Sequence, residues 1–204
     1  MKKMYKAMLL VLCAILLVAG SVMGTLAYLQ MTTKTVTNVM TVGNVSITLT
    51  ETELDADGNV TGTIVATADS VTGGPNTYKL IPNQSYVKDP TVTVAANSEA
   101  CYVFVKVVNG IKNIEDADST IAAQMVTNGW TVLNGDVYYK AIASSTSDTE
   151  CPVFASFKIS SAVTNATLAT YQNATITVQA FAIQSYGFNT AAEAWAAGAF
   201  VTNP

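Results

Sequence analysis

From Val45 to Thr50 apolar and hydroxyl residues alternate without a break. Val45, Ile47 and Leu49 fall on one side, Ser46, Thr48 and Thr50 on the other. A period of two sends one set to a buried face and the other toward water, so the stretch reads as a half-buried strand. Ahead of it, Val36, Met40 and Val42 carry the opposite parity. One core cannot take both sets unless a residue is inserted between them. Gly43-Asn44 stands at the change and can supply a bulge or sharp bend. Residues 34–42 and 45–51 are therefore expected to be distinct pieces of β-structure.

What precedes them reads as an export signal. Lys2, Lys3 and Lys6 form a basic start, and Ala7–Ala19 is uncharged and rich in Leu, Val and Ala. Small residues follow, and Thr25-Leu26-Ala27 fits a small-x-small cleavage site with Tyr28 as the first mature residue. The uncharged run reaches Leu29, which is also long enough for an uncleaved anchor. Its weakening into Gly, Ser and Thr after Ala19 favours cleavage. Cys13 lies within the apolar run behind Leu12, which does not suit a lipoprotein. The expected division is residues 1–27 signal, 28–42 N-terminal segment and 43–204 domain. The membrane is met only through the signal.

The 204 residues are 50% hydrophobic and only 12% charged, with no His and no Arg. Without the signal, 7 Lys stand against 14 acidic residues, a formal charge of −7. Such a chain is a poor nucleic-acid binder, because phosphate contacts need clustered cations. The absence of His closes Ser-His-Asp and Cys-His catalysis and every His-containing zinc site. Neither a Walker A motif nor a Gly-x-Gly-x-x-Gly phosphate loop occurs, and no two carboxylates are marked as a glycosidase pair. The expectation is a non-enzyme without a cofactor.

Along the chain, Asp57-Gly58 reads as a hairpin turn returning into Val60–Thr67. Asp55-Ala56-Asp57-Gly58-Asn59 is similar to a calcium loop, but the positions that need Gly and Glu hold Val60 and Ala66. A solvated turn is expected there. Asp69–Asn76 is a loop, Pro82-Asn83-Gln84 and Ala96–Glu99 are turns, and Thr91–Ala95 is a strand with Val92 and Val94 on one face. Cys101–Val108 is apolar on both faces except at Lys106, so it should be central and covered on both sides. Ser119 or Thr120 caps a short helix ending at Gly129. Trp130–Leu133 and Asp136–Ala141 form a hairpin about Asn134-Gly135, a type I′ pair. Pro152–Ser160 and Thr175–Gln184 are strands. Ser161–Asn173 is polar, with room for a helical turn. Thr190–Ala197 is a helix with a Thr cap, Glu193 at the capping-box position and Gly198 as its stop. Eight or nine short strands with one or two short helices predict an all-β fold, an antiparallel sandwich or jelly roll.

Cys101 and Cys151 are an even pair in an exported chain. A bridge between them would close a loop of about 50 residues and contribute about 4 kcal/mol in the chain-entropy account. The alternative is two buried thiols acting as small hydrophobes.

Gly24-Thr-Leu-Ala-Tyr-Leu29, Val36-Thr-Asn38 and Val42-Gly-Asn-Val-Ser-Ile-Thr-Leu-Thr-Glu51 together resemble the opening of the TasA/camelysin family of Gram-positive bacteria. Tyr78–Val94 followed by Cys101–Val107 resembles the same group. Leu29-Gln30-Met31 departs from the family, where an aromatic and Thr-Asp are common. The resemblance implies a signal cut by a SipW-type peptidase and a jelly-roll domain secreted to the cell surface or biofilm matrix. It also implies fibres in which the N-terminal segment of one subunit adds a strand to the next. The metalloprotease activity attributed to camelysin is not implied here, because its zinc ligands would need His.

Two functions follow as expectations. In the first, the chain is a self-assembling subunit of an extracellular filament, a homo-oligomer open to other matrix components. Its assembly strand, residues 28–40, has Tyr28, Val36 and Met40 as inward anchors. In the second, it is a monomeric surface module that binds a polysaccharide or host protein through an aromatic platform of Tyr86, Trp130, Tyr138 and Tyr139.

Overall fold

The structure, a computed structural model, describes residues 2–28 and 43–198. The chain divides into two compact units, residues 1–41 and 42–204. In the first, α1 (Lys2–Tyr28) is a single helix that runs through the expected cleavage residues Thr25, Ala27 and Tyr28. Its side chains from Lys3 to Val18 are exposed. Among the described residues no helix is long and apolar enough to cross a membrane. The expected anchors Val36 and Met40, and Val42 of the parity change, lie outside the described residues.

The second unit is built from short strands. In chain order these are β1 (Ile47–Leu54), β2 (Val60–Ala66), β3 (Val71–Thr72), β4 (Ser85–Val87), β5 (Thr91–Val94), β6 (Cys101–Asn109), β7 (Thr131–Asn134), β8 (Val137–Ile142), β9 (Thr149–Pro152), β10 (Ser156–Lys158) and β11 (Ile176–Gln184). Between and after them lie α2 (Ile121–Thr127), α3 (Asn165–Ala169) and α4 (Ala191–Ala197). One sheet has the order β3-β2-β1-β5-β9, a second β11-β6-β8-β7, and β10-β4 form a small third. Every pairing among them is antiparallel. The fold is thus mostly antiparallel β with a few short helices. Among the described residues three short α-helices follow α1, where one or two short helices were expected.

The main core lies between the inner faces of the two large sheets. Val92 and Val94 of β5 and Cys101, Val103, Val105 and Val107 of β6 are buried there, with Ile121, Met125 and Trp130 from the connecting segment. A smaller cluster sits on the far face of β6, where Phe104 is fully buried beneath Ala191 and Ala194 of α4. β6 is central, as expected, but its outer face is covered only in part. Lys106 and Val108 beyond Phe104 are exposed because α4 has only seven residues and reaches no further.

Local chemistry sets most boundaries. Thr120 caps α2 by accepting the Ala123 N–H, and Thr190 caps α4 by accepting that of Glu193. Gly129 closes α2 in the left-handed region at φ 82°. Gly198 ends α4 for a different reason. Its φ is −105°, but a Cβ there would run into the Phe181 ring.

Three expectations need correction. The strand expected over Pro152–Ser160 is two strands in two sheets. Pro152 has no N–H to donate and sits at the end of edge strand β9, after which the chain leaves that sheet and pairs again only as β10 with β4. The turn expected at Asn134-Gly135 lies at Gly135-Asp136. A bulge between Val132 and Asn134 takes up one residue, so Asn134 pairs with Val137 and only Gly135, at φ 48°, turns left-handed. Finally, β3 falls inside the loop expected over 69–76.

Candidate assembly face

β11 forms one margin of the four-stranded sheet. Just beyond its ends, Gly110 donates to the Thr175 carbonyl (2.9 Å) and Ser185 to the Ala100 carbonyl (2.8 Å). Both lie in the same register as the nine pairs of β11 with β6. In an antiparallel ladder, residues alternate between pointing both backbone groups at the partner and pointing both away. Odd-numbered residues therefore serve β6. Val178, Ala180 and Ala182, with Ile176 and Gln184, turn their N–H and C=O groups to the free side. Among the described residues no strand pairs with that side.

Sheet edges are ordinarily blunted by brevity, charge, Pro or a bulge. The other edges of the large sheets use these devices. β3 has two residues, β7 has four and a bulge, and β9 has four with Glu150 and Pro152. β11 uses none of them: nine residues, no charge, no Pro, unbroken register.

Burial also falls off toward this margin. Val92, Val103 and Val105 in the middle of the core are fully buried. Ile176, Val178, Ala180 and Ala182 of β11, and Val45, Ile47 and Leu49 at β1, pack against the same core yet stay half-buried. β1 and β11 pass close to one another. Together they leave an apolar seam part-open beside the unpaired edge.

The chain enters this unit at the end of that seam. Asn44 and Ser46 accept from Glu99 and Ala95 at 2.9 Å each, which ties residues 44–46 to the turn before β6. A cavity of about 450 Å³ lies beside the entry, lined by Gly43, Glu99, Ala100, Gln184, Ser185 and Tyr186. Tyr186 is 88% exposed at its rim.

The far end of β1 is polar. Beyond the Thr50–Thr91 pair the β1–β5 ladder stops, and the Asp89 side chain takes over. Its carboxylate accepts the Thr52 N–H (2.9 Å) and hydroxyl (2.7 Å). Asn76 continues the same substitution, accepting from Leu54 N–H and donating to the Thr52 carbonyl. Glu51, on the same strand face as Ile47 and Leu49, meets Lys88 at 2.7 Å, and Asn76 donates to it at 2.9 Å. Burial, and then the Glu51 charge, push the neighbouring Tyr78 phenol up to about 12. The pair was legible in principle: extending the parity of Val45, Ile47 and Leu49 by one step places Glu51 on the inner face, where a carboxylate needs a partner.

The four aromatic residues of the expected platform do not share a face. Tyr86 stacks on Phe157 (4.9 Å between centroids), with Tyr78 edge-on to both. Trp130 is buried and donates its indole N–H to the Pro152 carbonyl at 2.8 Å. Tyr138 lies in the main core, and Tyr139 packs on the opposite face with Tyr102 and Phe104. In the acidic turn, the Asp55 carboxylate accepts from the N–H groups of Asp57 and Asn59 and from the Asn59 side chain. Among the described residues, no group of three or more acidic or Cys side chains could hold a metal ion. Cys101 and Cys151 are both buried in the main core, as free thiols.

A second cavity, about 220 Å³, includes Glu115, Asp136, Lys112 and Tyr138 in its wall. Burial raises the Glu115 carboxyl above its usual range, against the hydrogen bond it accepts from Ile121 N–H. A carboxyl raised in the fold costs stability while ionised in both states, and that cost is relieved as pH falls through its folded pKa. Stability should therefore rise as pH is lowered from neutral toward that value. Glu115→Gln should remove the Glu115 part of this rise in urea titrations between pH 7 and 5. An unchanged rise in the variant assigns the effect to other groups.

Compared with known proteins, the chain has no match: no family model, no curated protein and no solved structure.

Proposed function

We propose that this chain is an exported structural subunit of an extracellular filament, with residues 43–204 a jelly-roll domain of the TasA/camelysin kind and residues 28–42 a donor strand. The observation that carries this reading is β11: a nine-residue, uncharged, unblunted edge beside a part-open apolar seam. An extended segment added there gains main-chain hydrogen bonds from Val178, Ala180 and Ala182, and its alternate side chains enter the seam. Residues 28–42 are uncharged except for Lys34 and, extended, span about 50 Å against about 30 Å for β11. Val36 and Met40 share parity and serve as inward anchors, with Tyr28 beside them.

Direction favours donation between copies. Residue 43 lies at the Gln184 end of β11. A segment folding straight back along its own β11 runs parallel to it, in a unit whose described pairings are all antiparallel. Antiparallel addition, the slightly more stable mode, is open to the segment of a second copy. Cleavage after Ala27 frees that segment from α1, and the mature chain is secreted to the matrix or cell surface.

Size-exclusion chromatography and negative-stain microscopy of protein starting at Tyr28, beside protein starting at Val42, test this. Filaments are expected from the first and monomers from the second; monomers from both at high concentration overturn strand donation. Ala180→Pro is a sharper probe. The Ala180 N–H is not used by β6, so Pro removes only an outward donor. The variant should keep its far-UV circular dichroism and lose filaments. Filaments of undiminished length would move the acceptor away from β11.

A further inference from the structure

We infer that Cys101 and Cys151 close a disulfide between the two large sheets as the exported chain folds, an inference that rests on the export reading above. Cys101 opens β6 in the four-stranded sheet and is opposite Ile142 of β8 and Gln184 of β11. Cys151 sits in β9 of the five-stranded sheet, opposite Val92 of β5. Val92 points into the main core, and directly opposed residues share a face, so Cys151 points inward as well. Cys101 shares its face with Val103, Val105 and Val107, which also point inward. The two thiols are therefore brought to one core from opposite walls, at 0% and 1% exposure. Burial first, and then a charge on Cys151, push the Cys101 thiol up. Two-sheet sandwiches accommodate bridges of this inter-sheet kind.

The step balances as thiol–disulfide exchange. Each Sγ gives up a proton, an S–S bond forms, and the two electrons reduce an external disulfide of the glutathione or oxidoreductase class to two thiols. The fold itself fixes the timing. Burial pushes the Cys101 thiol up to about 11 from an ordinary 9.0. That leaves about a hundredfold less thiolate than an exposed thiol has at neutral pH. The closed core also bars access to any oxidant. Oxidation belongs to folding, before the sheets close, and the finished reduced domain resists it.

The test uses the full chain, reduced and unfolded, then refolded in a glutathione redox buffer. It is blocked with a thiol alkylator in denaturant and mapped by peptide mass spectrometry. The expected product is a linked Cys101–Cys151 peptide with alkylated Cys13, and a melting temperature that falls by roughly 8–16 °C on reduction. The same protein refolded reduced, then exposed to the same buffer, should form the link at least about tenfold more slowly. Alkylation of all three cysteines after oxidative refolding overturns the inference, as does a bridge to Cys13. Equal rates in the two orders overturn its timing. Because the oxidant is supplied in vitro, failure here is distinct from failure of export, which fractionation of the producing cells reads separately.

Discussion

Lys88→Met lowers the unfolding free energy by about 3 kcal/mol, read as a shift of the urea midpoint at neutral pH. The Lys88 and Glu51 side chains are only 11% and 14% exposed and meet at 2.7 Å. Removing one member of a largely buried pair strands the other charge, and that cost exceeds what the pair contributes over an apolar replacement. The Asn76 amide remains on Glu51 but carries no charge to neutralise it. The double variant Glu51→Leu with Lys88→Met should therefore recover most of the loss. The difference between single and double variants is the informative quantity. Should the single variant lose less than about 1 kcal/mol, the pair is solvated in practice and belongs with ordinary surface bridges.

Phe104→Ala costs about 3–5 kcal/mol by the same measurement. Its ring is fully buried and lies 5.3 Å from that of Trp195, 6.0 Å from that of Phe181 and 6.3 Å from that of Tyr139. Truncation removes transfer energy and leaves a cavity whose walls are anchored separately on β8, β11 and α4, so it collapses poorly. Val108→Ala on the same face of the same strand is the control. Val108 is 42% exposed, and its truncation should fall within about 0.5 kcal/mol. Equal losses at the two positions would mean that α4 does not cover Phe104 in solution.

These two sites mark the limit of what the residues alone disclose. β1, β5 and β11 were legible because each keeps a period of two over several residues, β6 because it is a run apolar on both faces, and β8 because a turn signal precedes it. The caps Thr120 and Thr190 were legible because they act within three residues of themselves. β4 was not, since its three residues become a strand only by pairing with β10 some seventy positions later. The splitting of Pro152–Ser160 was hidden for the same reason: Cys151, Val153, Phe154, Phe157 and Ile159 are all buried, and no local pattern tells which sheet buries them. At Asn134-Gly135 the local signal was sound for a two-residue turn, but a bulge moved it one residue on. The proposed donor segment rests on sequence alone, because Val36 and Met40 lie outside the described residues. The acceptor proposed for it, the β11 edge, had no sequence signal at all, because an edge is a property of strand order. Thr175–Gln184 reads the same whether its far side is paired or bare.

The position of β11 in the chain has a consequence for how the molecule is made. This strand lies some seventy-five residues after its partner β6. Between them come β7, β8, β9 and β10, so the second flank of the central strand is filled only when residues 176–184 arrive. Under the export proposed above, a chain threading through a translocation channel from its N-terminus cannot complete its four-stranded sheet while residue 184 is still inside. On that proposal late closure keeps the polypeptide loose enough to thread, at the cost of a slow, non-local step.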